Sequence, residues 1–407
     1  MHTIVSLVRI LVSTLQALIV LALIYYYGLL LAGAVRPKSR RHTGLAAREG
    51  RRPRFAVVIP AHNEASVLSR TLEQLRQQTY PLSLYDIYVI ADHCDDETAQ
   101  VAFAGGATAL ERSVEPRGRK AYALQWGLED LLSGTQRHDA FVIFDADSLV
   151  DPGCLTAMAR AFDDDHQVLQ GQHIILRPEH RRFSGSATVD MRLNNLLRNQ
   201  AKTNLGLSCR LMGDAMCLSS DIIARYGWIS DSLTEDRQYG VFLVSQGLRC
   251  TYVAEAISYG QAAPSWQSAA QQRLRWYGGV AEIQRQLAGR MLRYAIHHRS
   301  AVALDQAVEL LVPPLSSLGA FSAGLLVVQL LWLRSGVLVP WPAWTGVVVL
   351  WLTLPFWGLL AARAPREEIR ALLYLPPYIV WRIWIGVRAR LLGRRVRWVR
   401  TERREER

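Results

Sequence analysis

The sequence predicts an α/β domain with a mostly parallel sheet, set between transmembrane helices near its two ends. Three observations carry this. Residues 55–165 alternate short apolar runs with segments of helical periodicity, the pattern of a parallel sheet with both faces covered. Long uncharged apolar stretches occur only near the ends of the 407-residue chain. Dense runs of arginine flank those stretches.

The first apolar stretch, Ile10 to Ala34, carries no charge. At about 1.5 Å per residue it crosses a hydrocarbon layer about 30 Å thick. It is too long for the core of a cleaved leader and lacks a small-residue cleavage site, so a span is expected. Leu311–Leu333 and Val337–Ala362 are the second and third expected spans. Ala371–Val387 holds Pro376, Pro377 and Arg382 and is expected to be an interfacial or re-entrant helix. Cations beside a span stay in the cytoplasm. The run from Arg36 to Arg54 therefore places the middle domain and the arginine-rich tail, Arg388 to Arg407, inside. The expectation is a multi-pass protein of the inner (cytoplasmic) membrane. The net charge of +12 is then membrane-flanking charge facing anionic lipid. No nucleic-acid-binding motif accompanies it, which argues against a nucleic-acid partner. Tryptophans at 332, 341, 344, 381 and 384 fit an interfacial aromatic belt. Cys94, Cys154, Cys209, Cys217 and Cys250 form no CxxC pair and are expected to be reduced.

In chain order, Phe55–Pro60 reads as a buried strand and Ser66–Gln77 as a helix. Asp86–Ile90 is a second strand, and Asp95–Ala104 a helix ended by Gly105 and Gly106. A third strand is expected near Ala107–Leu110, a helix over Lys120–Leu132, a strand over Asp139–Phe144, and a helix to about Phe162. The expected partition is an N-terminal span at 1–35, a basic linker at 36–54 and an α/β domain at 55–260. Amphipathic interfacial helices follow at 261–310, two spans at 311–363, and an interfacial segment with a basic tail at 364–407.

Ligands of parallel α/β sheets bind at the carboxyl ends of the strands. There the chain carries Pro60-Ala-His-Asn-Glu64, Asp92-His-Cys-Asp-Asp96 and Asp145-Ala-Asp147. Clustered carboxylates repel unless a cation or donor-rich ligand lies among them. Two aspartates at i and i+2 leaving a strand suit Mg²⁺ or Mn²⁺, which take one or two carboxylates plus substrate phosphates. Downstream, Ser232-Leu-Thr-Glu-Asp236 precedes an apolar helix. It reads equally as a helix start capped by Thr234 and as a general base, Asp236. In Gln271-Gln-Arg-Leu-Arg-Trp276, Gln272 and Arg275 share a helix face. A guanidinium fork suits a diphosphate and an indole suits a sugar ring.

The ordered set of motifs resembles the family-2 inverting glycosyltransferases, the group that includes cellulose, hyaluronan and chitin-oligosaccharide synthases. The motifs are Val57–Glu64, the aspartate of Ala91–Thr98, Gly118–Leu124, Asp145–Asp147, Thr234–Asp236 and Gln272–Trp276. The resemblance covers roughly residues 55–280 and implies a GT-A fold. It further implies a nucleotide-sugar donor, UDP-linked, bound by Pro60, Ala61, Asn63, Glu64, Asp92, Lys120, Asp145 and Ala146. It implies a metal on Asp147 and Asp145, and Asp236 as base. Glu235, Gln272, Arg275 and Trp276 close on the diphosphate and acceptor. Inversion at the anomeric carbon follows. The expected acceptor is a growing cell-surface glycan, which brings export or polysaccharide-assembly subunits as partners; the alternative is a single addition to a lipid or lipid-linked acceptor. Membrane lipids are partners in both. The chain departs from the family where Ala91-Asp92-His93 replaces the commoner Asp-Asp-Gly, and where Asp214 stands in the acceptor loop.

Overall fold

In the computed structural model the described residues are 2–35, 52–163, 165–176, 182–228, 232–261, 265–332 and 337–392. Most of the basic linker and of the basic tail lie outside them.

Eight strands form one sheet: β1 (Phe55–Ala61), β2 (Tyr85–Asp92), β3 (Thr108–Arg112), β4 (Ala140–Ile143), β5 (Leu149–Val150), β6 (Val168–Leu176), β7 (Met216–Ser219) and β8 (Cys250–Gln261). Their order is β3-β2-β1-β4-β7-β6-β8-β5. The first four are mutually parallel. β7 runs antiparallel to both β4 and β6, and β5 antiparallel to β8. The central strands are near-continuous apolar runs; every residue of β1 except Pro60 is buried. Such runs mark strands covered on both faces. One face packs on helices Ala65–Arg76, Thr98–Ala104 and Cys154–Ala161. The other packs on Lys120–Ser133, Ser220–Tyr226 and Glu235–Ser245. Gly127 permits close helix–sheet approach, since a Cβ there would lie 2.3 Å from Ile90 Cδ1.

The chain builds outward from β1 to β3, then crosses back to lay β4 on the other edge of β1. The crevice at such a reversal, outside the carboxyl ends of β1 and β4, is where open α/β sheets take ligands.

A third core joins helix His2–Ala34 to helices Leu315–Leu331 and Trp341–Ala361. Residues 182–204, which the sequence pattern did not mark, supply Val189, Leu193, Leu196, Leu197 and Ala201 to that core. This segment couples the sheet domain to the apolar helices. Thr3–Ala34 and Trp341–Ala361 are long and apolar enough to cross a membrane. The expected span at 311–333 is instead a 17-residue helix, Leu315–Leu331, bent by 59° from helix Ala301–Leu311. Pro313 and Pro314 occupy the break and remove the backbone donors that a continuous helix needs. The pair counts as one further span only if it crosses as a unit. Helix Leu375–Leu392 buries Tyr378, Ile385 and Ala389, while Val380, Trp384, Val387 and Leu391 are exposed.

Candidate functional site

The loops after β1, β2 and β4 converge. Asp92, at the end of β2, is buried and accepts a hydrogen bond of 2.5 Å from Arg112 Nη1 on neighbouring β3. His93 Nδ1 lies 2.9 Å from the same carboxylate oxygen, in the position where the family commonly has glycine; it has a positive φ of 51°. Pro60, Ala61 and Glu64 line the space above β1. Asn63 is not on that wall. Its side-chain oxygen accepts from the Asp95 amide at 2.7 Å, tying the first loop to the second.

After β4, Asp145 Oδ1 accepts from Lys120 Nζ at 2.5 Å, and the same ammonium donates to the Gly213 carbonyl at 2.6 Å. Burial disfavours the Lys120 ammonium, but Asp145 and Glu235 outweigh it and raise the pKa. Behind this loop stands Asp214, buried to 2 % exposure. It accepts from the Asp145 amide at 3.0 Å, Ser148 Oγ at 2.7 Å and Ser258 Oγ at 2.6 Å. His173 Nδ1 on β6 lies 2.8 Å from its second oxygen. Burial works against the Asp214 charge, yet the His173 hydrogen bond and charge hold its pKa well below the usual range. The same pairing raises His173 against its own burial.

Helix Glu235–Ser245 aims its first turn at Lys120 and Asp145, the charges that act on both Glu235 and Asp236. Thr234 sits at the cap position without a side-chain capping bond. Glu235 is pushed up to about 7, by burial first and then by Asp236. Asp236 is raised as well, burial again leading. Gly213, in a left-handed turn with φ 82°, leaves room for Asp236: a Cβ there would lie 3.4 Å from its Oδ2. Gln272, Arg275 and Trp276 lie on helix Trp266–His297. Between them, Arg273 Nη1 reaches Asp190 Oδ2 at 3.4 Å, and Arg382 Nη1 holds Asp190 Oδ1 at 2.5 Å.

One cavity of about 1410 Å³ takes in these groups except Asn63, Arg112 and Ser258. Around the strand ends it is lined by Pro60, Ala61, Glu64, Asp92, Lys120, Asp145, Ala146 and Asp147. Glu235, Asp236, Gln272, Arg275 and Trp276 follow, and the far wall is Leu315, Gly319, Trp351, Leu352 and Pro355 from the apolar helices. Among the described residues no group of three or more His, Cys, Asp or Glu side chains is arranged to hold a metal by itself. Two carboxylates at i and i+2, Asp145 and Asp147, are the donor type that a hard divalent ion takes alongside phosphate oxygens and water.

Residues 53–279 match the family described as glycosyltransferase like family 2, more than half of the chain. The chain belongs to that family. The matched region is a glycosyltransferase domain of that family. The chain is 20 % identical over 236 residues to the "Probable glycosyltransferase YdaM" of Bacillus subtilis, covering 56 % of this chain and 55 % of that one. It is 23 % identical over 195 residues to the "Beta-monoglucosyldiacylglycerol synthase" of Trichormus variabilis, covering 46 % and 40 %. The match thus spans about half the length of these relatives. The mannosyltransferase PcManGT of Pyrobaculum calidifontis, solved with GDP-Man and Mn²⁺, superposes with a TM-score of 0.53 at 17 % identity, covering 86 % of the enzyme and 98 % of that chain. The sheet is that of the GT-A glycosyltransferases.

Several residues built into this glycosyltransferase site had no local signature. His173 stands in a mostly apolar strand, and its partner is 41 positions away. Arg112, Asp190 and Arg382 are likewise visible only once distant elements meet. Asp214 stood out as a departure from the family pattern, but nothing in the sequence says that it anchors the Asp145 loop.

Proposed function

We propose that the enzyme transfers a sugar from a UDP-type donor, with inversion, to a hydroxyl of a lipid or lipid-linked acceptor. One observation carries this reading: the cavity runs without a break from the carboxyl ends of β1 and β4 to the apolar helices. An acceptor with an apolar tail can rest on Leu315, Trp351 and Pro355 while its hydroxyl reaches Asp236. The name of the Trichormus relative, a glucosyldiacylglycerol synthase, supports a lipid acceptor. In this reading the sheet domain lies on the cytoplasmic face of the inner membrane, held there by the apolar helices. The export and assembly subunits of a polysaccharide synthase are not required.

In this mechanism Asp92, with the backbone of Pro60 and Ala61 and the side chain of Glu64, holds the nucleoside. Asn63 acts through the loop it ties. Asp145, Ala146, Asp147 and Lys120 face the diphosphate. Asp147 and Asp145 would hold a Mg²⁺ or Mn²⁺ ion, which would supply Lewis-acid stabilisation of the leaving diphosphate. Asp236 takes the acceptor proton, its raised affinity making it a better base than an exposed aspartate. Gln272 and Arg275 offer donors to the diphosphate, where preorganised charge contributes most. Trp276 offers its indole to a sugar, and it is the feature that favours the second reading, extension of a glycan. Purified enzyme in lipid nanodiscs, given labelled UDP- and GDP-sugars with Mn²⁺, separates the two. One labelled sugar on an extractable lipid, lost in Asp236→Asn, is the expected product. A water-soluble ladder instead overturns the lipid reading in favour of the glycan one.

A further inference from the structure

Next to Asp236 the cavity wall carries more positive charge than its own carboxylates neutralise. Arg237 Nη2 lies 3.3 Å from Glu309 Oε1, and Arg198 Nη1 lies 3.3 Å from the same atom. Arg210 and Lys202 also pair with Glu309, and Lys202 Nζ reaches Asp305 Oδ2 at 2.7 Å. Among the described residues, four cations thus share two carboxylates. Three of them, Arg198, Arg210 and Arg237, line the cavity. Arg237 Nε is buried without a hydrogen-bond partner. Burial, only partly offset by Glu309, lowers the Arg237 pKa. A surplus of buried guanidinium is costly unless an anion joins it, and a guanidinium fork matches a phosphate oxygen pair. The position is also informative. Arg237 follows Asp236 directly, and Arg198 donates to Tyr26 Oη at 2.8 Å on the N-terminal apolar helix. The surplus therefore lies between the base and the apolar end of the cavity.

We propose that the acceptor is an anionic lipid, whose phosphate-type group is held by Arg198, Arg210 and Arg237 beside the hydroxyl that Asp236 activates. This rests on the lipid-acceptor reading above and sharpens it. A phosphate placed there adds the missing negative charge and fixes the hydroxyl within reach of the base. A neutral diacyl lipid has the tail but not the anchor.

The test compares dioleoylglycerol with dioleoylphosphatidylglycerol, which share tails and both carry a free hydroxyl, as acceptors in otherwise zwitterionic nanodiscs. Donor hydrolysis to water, measured without acceptor, reports the donor half separately. Wild-type enzyme should prefer the phosphate-bearing lipid. Arg210→Gln should raise the KM for that lipid roughly 10-fold to 100-fold, the usual weight of a lost charge-assisted hydrogen bond. It should leave dioleoylglycerol transfer and the donor KM unchanged. Arg210→Lys should restore much of the preference. Because it removes surplus charge, Arg210→Gln should not lower Tm, whereas Glu309→Gln, which enlarges the surplus, should. Transfer to both lipids without preference, or equal loss of both in Arg210→Gln, overturns the inference and leaves the lipid reading standing. A raised donor KM overturns it by assigning these arginines to the diphosphate. Transfer to a soluble oligosaccharide but to neither lipid overturns both readings.

Discussion

Asp236 and Glu235 are adjacent, half-buried carboxylates that share the neighbouring charges of Lys120 and Asp145. Both titrate above their ordinary values, so the base is lost by protonation at a higher pH than for an exposed aspartate. The rate should fall as pH drops through the raised Asp236 value. Replacing Glu235 with Gln removes a negative neighbour, so the acid limb of kcat/KM against pH should move to lower pH. A limb that stays in place means that the two carboxylates do not communicate. Asp236→Asn should cost about 10²- to 10⁴-fold in turnover, the usual weight of a general base. Asp214 and His173 make a stability prediction of opposite signs. The depressed Asp214 value contributes stability above the ordinary carboxylate range that is lost as pH falls through the folded value. The raised His173 value contributes stability below about 6.5 that is lost as pH rises through the folded value. Thermal unfolding should therefore show a maximum between them. Asp214→Asn should flatten the alkaline limb and cost about 3–5 kcal/mol, as expected for an orphaned buried partner.

Elements meet at the site through close contacts that a residue list does not reveal. Gly279 on helix Trp266–His297 packs directly on Thr234, where a Cβ would lie 2.6 Å from Oγ1 and 3.1 Å from the backbone nitrogen. This contact seats the helix bearing Gln272, Arg275 and Trp276 against the start of the helix bearing Asp236. Gly279→Ala must push the two apart, because backbone cannot yield as a side-chain tip can. It should lower kcat more than tenfold, since displacements near 1 Å at a catalytic centre cost about 10²-fold, with little change in far-UV circular dichroism. The strand-and-helix alternation of residues 55–165 was legible because apolar period and Gly breaks are local properties. Segment 182–204 was not legible, because its apolar residues face the apolar helices rather than the sheet. Its periodicity has meaning only when that partner is present. The bend at Pro313 and Pro314 lay within an expected continuous span for the same reason: hydropathy counts apolar length and is blind to helix direction.

At the scale of the whole molecule, the cavity is polarised. Its lining includes carboxylates with Lys120 at the strand ends, the cations Arg198, Arg210 and Arg237, and residues of the apolar helices. In the proposed mechanism Asp145 and Asp147 share a hard cation with the phosphate oxygens of the donor, so each ligand strengthens the other's hold. Chelation should therefore abolish transfer, and Mn²⁺ or Mg²⁺ should restore it. Metal affinity measured by calorimetry should rise when UDP is present. A binding isotherm unchanged by UDP removes the shared-ligand account.

Composition and order along the chain determined the α/β class, the apolar ends, and the set of carboxylates at the strand ends, because each depends on neighbours within a few residues. The ordered motifs were enough to point to the family. Tertiary structure alone decided which charges face one another. Asp214 sits under Asp145 because β7 lies between β4 and β6, and Glu309 gathers four cations from three separate segments. It alone also joined the crevice at the strand ends to the apolar helices as one cavity. Long-range electrostatics and cavity shape arise from residues dozens to hundreds of positions apart, and no local pattern in a sequence encodes which of them will meet.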